Sequence, residues 1–325
     1  MPVGVVCMRP GCICRSRSWP ELGKPCRYNG ETEQSYKLWL VRVDMKGETA
    51  MPELPEVETV RQTLLEYLPG QVITGLRVTL PRIIKFPEVA QFADSIVGRG
   101  FRTIDRRGKY LLFRLTGNHT LVIHLRMTGQ LRYSASDQPV LKHTHVIFSL
   151  DSGFQLRFTD MRQFGAMYLA PDEEIAHAAN MQKLGWEPLE QFPLPGFTEL
   201  LSRRHTKIKN LLLNQQVIAG VGNIYADESL FMAGIHPETS ADTLTPEQAA
   251  RLHASLIAVL EAGVAMRGTS FSDYVDGLGR SGSFQHQLAV YGRRDQPCPR
   301  CGAPIERIKL AGRSAHFCPH CQPRP

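Results

Sequence analysis

The chain has 325 residues, 42% of them hydrophobic, and a formal net charge of +7; the sequence pI is about 9.0 and the mean hydropathy −0.21. That length can bury two cores, and no apolar run approaches a membrane span, so a helical membrane protein is not expected. The positive balance favours a polyanionic partner.

Residues 1–50 keep neither a helical nor a strand period. They hold four of the eight cysteines, Cys7, Cys12, Cys14 and Cys26, among Arg, Pro and Gly. "VGVVCM" is too short for a signal-peptide core, and Glu31, Glu33, Asp44 and Glu48 argue against a transit peptide. The spacing C-x4-C-x-C-x11-C is not a usual zinc pattern. Residues 1–50 are expected to be a leader, disordered or not part of the mature protein.

From Pro52 the pattern becomes regular. Pro55 suits the first turn of a helix, and Val57, Val60, Leu64, Leu65 and Leu68 keep helical spacing up to "LPG". Strands are predicted in "TGLRVTL", "FRTIDRRGKYLLFRL", "TLVIHLRM", "HVIFSLDSGFQLRFTD" and "GAMYLA", with turns at "RRGK" and "DSG". This alternation predicts a β-sandwich of hairpins over 52–185. A Pro-rich linker follows at 186–196. A helical domain then spans 197–284 and ends in a Gly- and Ser-rich loop, 268–284, with the composition of a mobile segment. The expected fold class is α+β multidomain. It comprises an N-terminal β-sandwich with an opening helix, a C-terminal helical domain, and a four-cysteine zinc ribbon over 288–325.

The other four cysteines read Cys298-x2-Cys301-x16-Cys318-x2-Cys321. Each C-x2-C turn brings two thiolates to one ion, and four thiolates close the tetrahedron. One structural zinc ion is expected, with no open position for catalysis. Cysteines confined to the two ends suggest a reducing compartment. Residues 291–325 carry seven Arg and Lys against Asp295 and Glu306, a net +5, enough for a phosphate-facing surface. Arg313, near the hairpin tip, is the residue to aim at a phosphate; as a residue type it is equally a solvated turn arginine.

"MPELPEVET" at 51–59 reads like a chain start. If Met51 initiates and is removed, Pro52 becomes a free secondary amine. An α-amino group has a pKa near ~8 against ~10.4 for lysine, and the adjoining helix N-terminus lowers it further. Such an amine can attack a sugar C1′ and form an iminium, a Schiff base that acidifies the C2′ proton. Glu53 and Glu56 lie within a turn of it, one able to act as acid or base while the other fixes geometry. Both are also ordinary carboxylates for a helix N-terminus.

"PELPEVETV", "RRGKYLL", "KHTH", "DMRQFG", "GVGNIYADE" and the C-terminal "VYGRR", "PCPRCG" and "GRSAHFCPHC" together resemble the bacterial formamidopyrimidine-DNA glycosylase family. The resemblance runs over residues 51–325 in the family's order. Endonuclease VIII-type relatives share the layout but open on a "PEGPE"-like start, so Leu54 favours the formamidopyrimidine branch. The resemblance implies a helix–two-turns–helix DNA-binding element in the helical domain. It also implies a bifunctional glycosylase/AP lyase that flips out and excises 8-oxoguanine and formamidopyrimidines, then nicks the strand by β,δ-elimination.

By the same resemblance Pro52 is the Schiff-base nucleophile, Glu53 the acid assisting base loss and ring opening, and Lys109 the general acid of β-elimination. Arg313 assists δ-elimination at the lesion phosphate. His143, Arg162, Arg204, Lys209 and Asn223 hold the DNA backbone. Met127, Arg162 and Phe164 fill the hole left by the flipped base, and loop 268–284 closes over that base. Without the resemblance Lys109 reads as a solvated lysine, Met127 as core, and "GVGN" as an interhelical turn whose exposed amides could bind phosphate.

Two residues depart from the pattern, Arg126 where some relatives have a small residue and Asp295 where glycine is usual. The expected partner is double-stranded DNA with oxidised bases or abasic sites, met by a monomer in the bacterial cytoplasm at the nucleoid, with no membrane. Two alternatives stand: a non-catalytic zinc-ribbon DNA-binding protein if residues 1–50 are retained, and an endonuclease VIII-type glycosylase for oxidised pyrimidines.

Overall fold

Residues 51–271 and 273–325 are described by the computed structural model. The leader and its four cysteines lie outside the described residues.

Helix α1 (Leu54–Leu65) starts where the sequence places it, with Glu53 as N-cap and Pro55 in the first turn. The Glu56 carboxylate turns back to accept the Glu53 N–H at 2.9 Å. Val57, Val60 and Leu64, with Leu68 just beyond the helix, are fully buried. Burial contributes about 1.5–3 kcal/mol per side chain, which outweighs the marginal stability of so short a helix in isolation. These residues join the sandwich core, whereas Leu54 packs in the core of the helical domain. One helix is therefore shared by both cores.

The strands are β1 (Ile73–Val78), β2 (Ile84–Phe86), β3 (Phe101–Arg107), β4 (Tyr110–Leu115) and β5 (His119–His124). They continue as β6 (Gly129–Ala135), β7 (Thr144–Leu150), β8 (Phe154–Asp160) and β9 (Ala166–Pro171), with helix α2 (Val89–Ile96) between β2 and β3. They form two sheets, β1-β7-β8-β6 and β2-β9-β5-β4-β3, whose inner faces and α1 share one apolar cluster. The sequence pattern does not reveal β2, α2 or β6. The three residues of β2 cannot show a period. In α2 only Phe92 and Ile96 are buried, and β6 has a single fully buried aliphatic, Leu131.

After a short α3 (Ile175–Ala178), the Pro-rich stretch has structure of its own. Trp186 bridges to Ile218, Glu187 is buried, and α4 (Leu194–Ser202) begins inside it, with proline in its first turn. Helices α5 (Ile208–Leu213), α6 (Asn223–Ala233) and α7 (Pro246–Ala265) complete the domain. Thr245 and Gln248 cap α7 reciprocally, a pairing that satisfies two otherwise orphaned amides.

The described part of 268–284 is tied down. Asp276, fully buried, accepts from the Leu278 and Arg280 amides at 2.9 Å and pairs with Arg267 and Arg280. The Tyr133 amide donates to the Gly277 carbonyl at 2.8 Å, so the segment lies along β6. Strands β10 (Glu306–Leu310) and β11 (Arg313–Phe317) form the last hairpin. Both departures from the family pattern fall at left-handed positions, Arg126 at φ 57° and Asp295 at φ 63°. A residue without a Cβ is unstrained there, and Asp is among the better tolerated others.

Candidate active site and nucleic-acid interface

Three backbone segments meet at the start of α1, and glycines let them. The Leu54 amide donates to the Gly220 carbonyl at 3.0 Å, and a Cβ on Gly220 (φ 90°) would stand 2.7 Å from the Leu54 side chain. A Cβ on Gly222 would collide with the Glu53 carboxyl. Gly108, in the β3–β4 turn, packs against Ala219 and Gly220. The same turn is fixed by the buried Glu187 carboxylate, which accepts from the Gly108 amide, from Arg106 at 2.7 Å and from Arg107 at 3.0 Å.

This meeting places Glu53 at the head of α6. Its carboxylate accepts the Ile224 amide at 3.0 Å and the Tyr225 amide at 3.5 Å. Burial raises its pKa to about 7; Lys109 and these amides oppose the rise, and Glu56 adds to it. Lys109, also buried, is pushed down by desolvation, held up by Glu53, and lowered further by the charge of Arg313. Burial thus disfavours the charged form of both groups, and the charge of each favours the charge of the other. Pro52 precedes Glu53 and is buried.

The α6 amides are therefore not the open phosphate site expected from "GVGN". Ile224 and Tyr225 are buried and their N–H groups face Glu53. What remains at this helix start is the half-buried Asn223, whose Oδ1 has no hydrogen-bond partner among the described residues.

Glu56 is held by three donors: the Glu53 amide, the Thr269 amide at 2.7 Å and the Tyr225 hydroxyl at 2.7 Å. Burial raises its pKa and these bonds oppose the rise. Sequence patterning does not single out Tyr225 or Thr269. The available signal is Gly263, a glycine inside α7, where it costs about 1 kcal/mol relative to alanine. A Cβ there would stand 2.5 Å from the Tyr225 ring.

The Sγ atoms of Cys298, Cys301, Cys318 and Cys321 all lie within 4.8 Å of one another, with Cys298–Cys321 at 3.9 Å and Cys301–Cys318 at 3.5 Å. Tetrahedral zinc–thiolate bonds of about 2.3 Å require sulfurs about 3.8 Å apart. Amides of Arg300 and Cys321 donate to Cys298 and Cys318 sulfur at 3.4 Å, the usual support for thiolate ligands. The donor set thus fits one structural zinc. Elemental analysis should find one zinc per chain, and Cys301→Ser should lose it and lower the melting temperature.

Arg313 opens β11 at the exposed hairpin tip, and its charge reaches Lys109. The tip is braced from within. Lys209 donates to the Ser314 carbonyl and lies 2.5 Å from Asp227 Oδ1, while Asp227 Oδ2 accepts the His316 amide at 2.9 Å. Lys209 was expected to hold the DNA backbone, but it is fully buried and engaged on the zinc hairpin instead. Helical spacing places it on α5 without revealing which face the hairpin covers. Lys209→Met should destabilise the protein by about 3–5 kcal/mol in denaturant unfolding, the cost of leaving a buried carboxylate unpaired.

The other predicted residues divide. Arg162 stacks its guanidinium 5.2 Å from the Phe164 ring centre; both are exposed, Phe164 by 54%. Met127 and His143 are half-buried in neighbouring turns. Arg204 is exposed after α4 and lines a surface cavity with Trp186, Gly196 and Glu199, apart from the other predicted residues.

A buried carboxylic acid and a buried lysine of opposed shifts, overlooked by an outward arginine, suit an acid–base enzyme acting on a phosphate-bearing substrate. The formamidopyrimidine-DNA glycosylase N-terminal domain matches residues 51–167. The H2TH domain of the same glycosylase matches 184–275, and the zinc finger found in FPG and IleRS matches 295–324. The chain is 54% identical over 274 residues to a formamidopyrimidine-DNA glycosylase of Desulforamulus reducens, covering 84% of this chain and 99% of the relative. With that of Heliobacterium modesticaldum it shares 49% over 276 residues, covering 84% and 100%. Lactococcus lactis Fpg in complex with abasic-site DNA superposes with a TM-score of 0.79 at 40% identity, covering 84% of this chain and 100% of that one. A complex of a mutant of that enzyme with Fapy-dG DNA gives 0.80 at 39%, with the same coverage.

The chain belongs to the formamidopyrimidine-DNA glycosylase family and is a DNA repair glycosylase. Lyase cleavage of the abasic site accompanies base removal in this family. Among the described residues no helix is long and apolar enough to cross a membrane.

Proposed function

We propose that the protein excises 8-oxoguanine and formamidopyrimidines from duplex DNA and cleaves the resulting abasic site, with the Pro52 nitrogen as nucleophile. The observation that carries this reading is the buried Glu53 carboxylate, set at the head of α6 by the Ile224 and Tyr225 amides, one residue from Pro52.

The Pro52 amine attacks C1′ as the C1′–N-glycosidic bond breaks; Glu53 protonates the departing base and regains a proton from the Pro52 ammonium. Glu53 supplies the proton that opens the sugar ring, leaving an iminium at C1′. Loss of the C2′ proton expels the 3′ phosphate, with Lys109, whose lowered pKa makes it a readier donor, as the acid. A second elimination expels the 5′ phosphate, whose charge Arg313 balances. The step requires a free secondary amine, and in the 325-residue chain that nitrogen is an amide to Met51. A mature chain that begins at Pro52, by initiation at Met51 and loss of that methionine, is thus part of the proposal.

His143, Arg162, Arg204 and Asn223 would contact the DNA backbone, while Met127, Arg162 and Phe164 fill the space of the flipped base and 268–284 covers that base. An exposed arginine–aromatic pair supports the wedge role. The protein would act as a monomer in the bacterial cytoplasm.

Oxidised pyrimidines are the second reading, favoured by a Lactococcus lactis complex at 39% identity that holds DNA with an oxidised pyrimidine. Competing 8-oxoguanine and thymine-glycol duplexes for a chain beginning at Pro52 decides between them. Preferred release of 8-oxoguanine, with phosphate at both ends of the gap, is the expected result. Preferred release of thymine glycol would overturn the purine assignment.

A further inference from the structure

Asp160, the last residue of β8, is fully buried and touches every turn that carries a proposed helix-probing side chain. Its Oδ1 accepts the Thr128 hydroxyl at 2.5 Å and its Oδ2 accepts the Gly165 amide at 2.7 Å. Its amide donates to the His143 carbonyl at 2.9 Å, and its carbonyl lies 3.0 Å from His145 Nε2. Thr128, itself buried, completes the link by accepting the Arg162 amide at 2.9 Å.

The two turns are otherwise separate in sequence, 125–129 between β5 and β6 and 161–165 between β8 and β9. Each is internally stiff. The Gly129 amide closes the first on the Leu125 carbonyl at 3.0 Å. In the second, Gly165 packs so tightly on Phe158 that a Cβ would collide with the ring. Strand pairing holds the ends of both turns, with His124 opposite Ala166 and Gly129 opposite Asp160, and leaves their inner residues to be joined by side chains. The Thr128 hydroxyl joins them, donating to Asp160 and accepting from Arg162. Met127 is adjacent to one end of that bridge, and Arg162 with Phe164 to the other.

We propose that Asp160 and Thr128 are positioning residues that lock these turns into one unit, so that Met127 and the Arg162–Phe164 pair enter the DNA stack together. The inference rests on the wedge role proposed above for those three side chains. Turns joined only at their strand ends would have to order their inner residues during unstacking, whereas a pre-locked pair meets the DNA already ordered. Chemistry at the sugar lies outside this unit, so a DNA without a stack to open does not need it.

The test compares Thr128→Val, isosteric but without the hydroxyl, with Thr128→Ser, which keeps it. Both are made in the zinc-loaded chain beginning at Pro52. Stopped-flow fluorescence of 2-aminopurine beside a tetrahydrofuran abasic analogue in duplex DNA reports unstacking. Borohydride trapping on a single-stranded abasic oligonucleotide reports Schiff-base chemistry. Thr128→Val should slow unstacking about tenfold, the scale of one buried hydrogen bond, with trapping within about twofold of the parent. Thr128→Ser should restore unstacking. Unstacking at the parent rate in Thr128→Val overturns the proposal, as does an equal fall in unstacking and trapping. A parent protein that binds this duplex with no fluorescence change overturns the wedge reading itself, and is distinguished by requiring no variant.

Discussion

A chain beginning at Pro52 should form a borohydride-stable cross-link with DNA containing 8-oxoguanine, and the 325-residue chain beginning at Met1 should form none. A secondary amine has a lone pair to attack C1′; the Met51–Pro52 peptide nitrogen has delocalised its own into the carbonyl. The difference is one of kind, so a loss of at least about a thousandfold in trapping is expected, beyond the range of a general acid–base contribution. Zinc content should be alike in the two, because the zinc ligands lie at the other end of the chain. Equal trapping by the two chains, with Met1 retained on the cross-linked product by mass spectrometry, would remove Pro52 as the nucleophile.

Glu53→Gln should reduce 8-oxoguanine release by about 10²–10⁴-fold, the usual contribution of a positioned general acid. Glutamine keeps an acceptor oxygen for the Ile224 amide, so the loss isolates the proton rather than the cap on α6. Cleavage of a preformed abasic site, which needs no base protonation, should fall less. The pH profile gives an independent check. Glu53 titrates at about 7, so its acid form declines above that pH, and the rate constant for base release should fall as pH rises through it. The variant should lack this limb.

Stability carries the same sign. A folded pKa raised from 4.5 to about 7 means the folded state holds this proton more tightly than the unfolded state. The stabilisation from this group is complete below about 4.5 and is lost as pH rises through 7. Lys109, lowered in the folded state, contributes oppositely: its stabilisation is present above its ordinary value and lost as pH falls through the lowered one. A base-release profile unchanged by Glu53→Gln would assign the acid elsewhere.

Other features of the site are legible along the chain itself. The four-cysteine spacing identifies the zinc ligands because two C-x2-C turns leave little geometric freedom. Pro55 and the apolar period from Val57 locate α1 because caps, proline and burial periodicity are local rules. Arg313 falls at the hairpin tip because the ligand turns bracket it. Lys209 shows the limit: its position on α5 is legible, but the hairpin that buries it is supplied more than a hundred residues later.

The same division runs through the whole molecule. Sequence alone determined most of the elements, the metal ligands and the family, since each depends on residues close along the chain or on motifs in a fixed order. Tertiary structure decided the chemistry of those residues. Glu53 is an N-terminal helix carboxylate by sequence; it is an acid near neutrality only because α6, 171 residues away, and Lys109 enclose it. Asp160 is the last residue of a strand by sequence and a hub between turns by packing. Local rules fix backbone conformation, whereas burial and charge proximity arise only when distant segments meet.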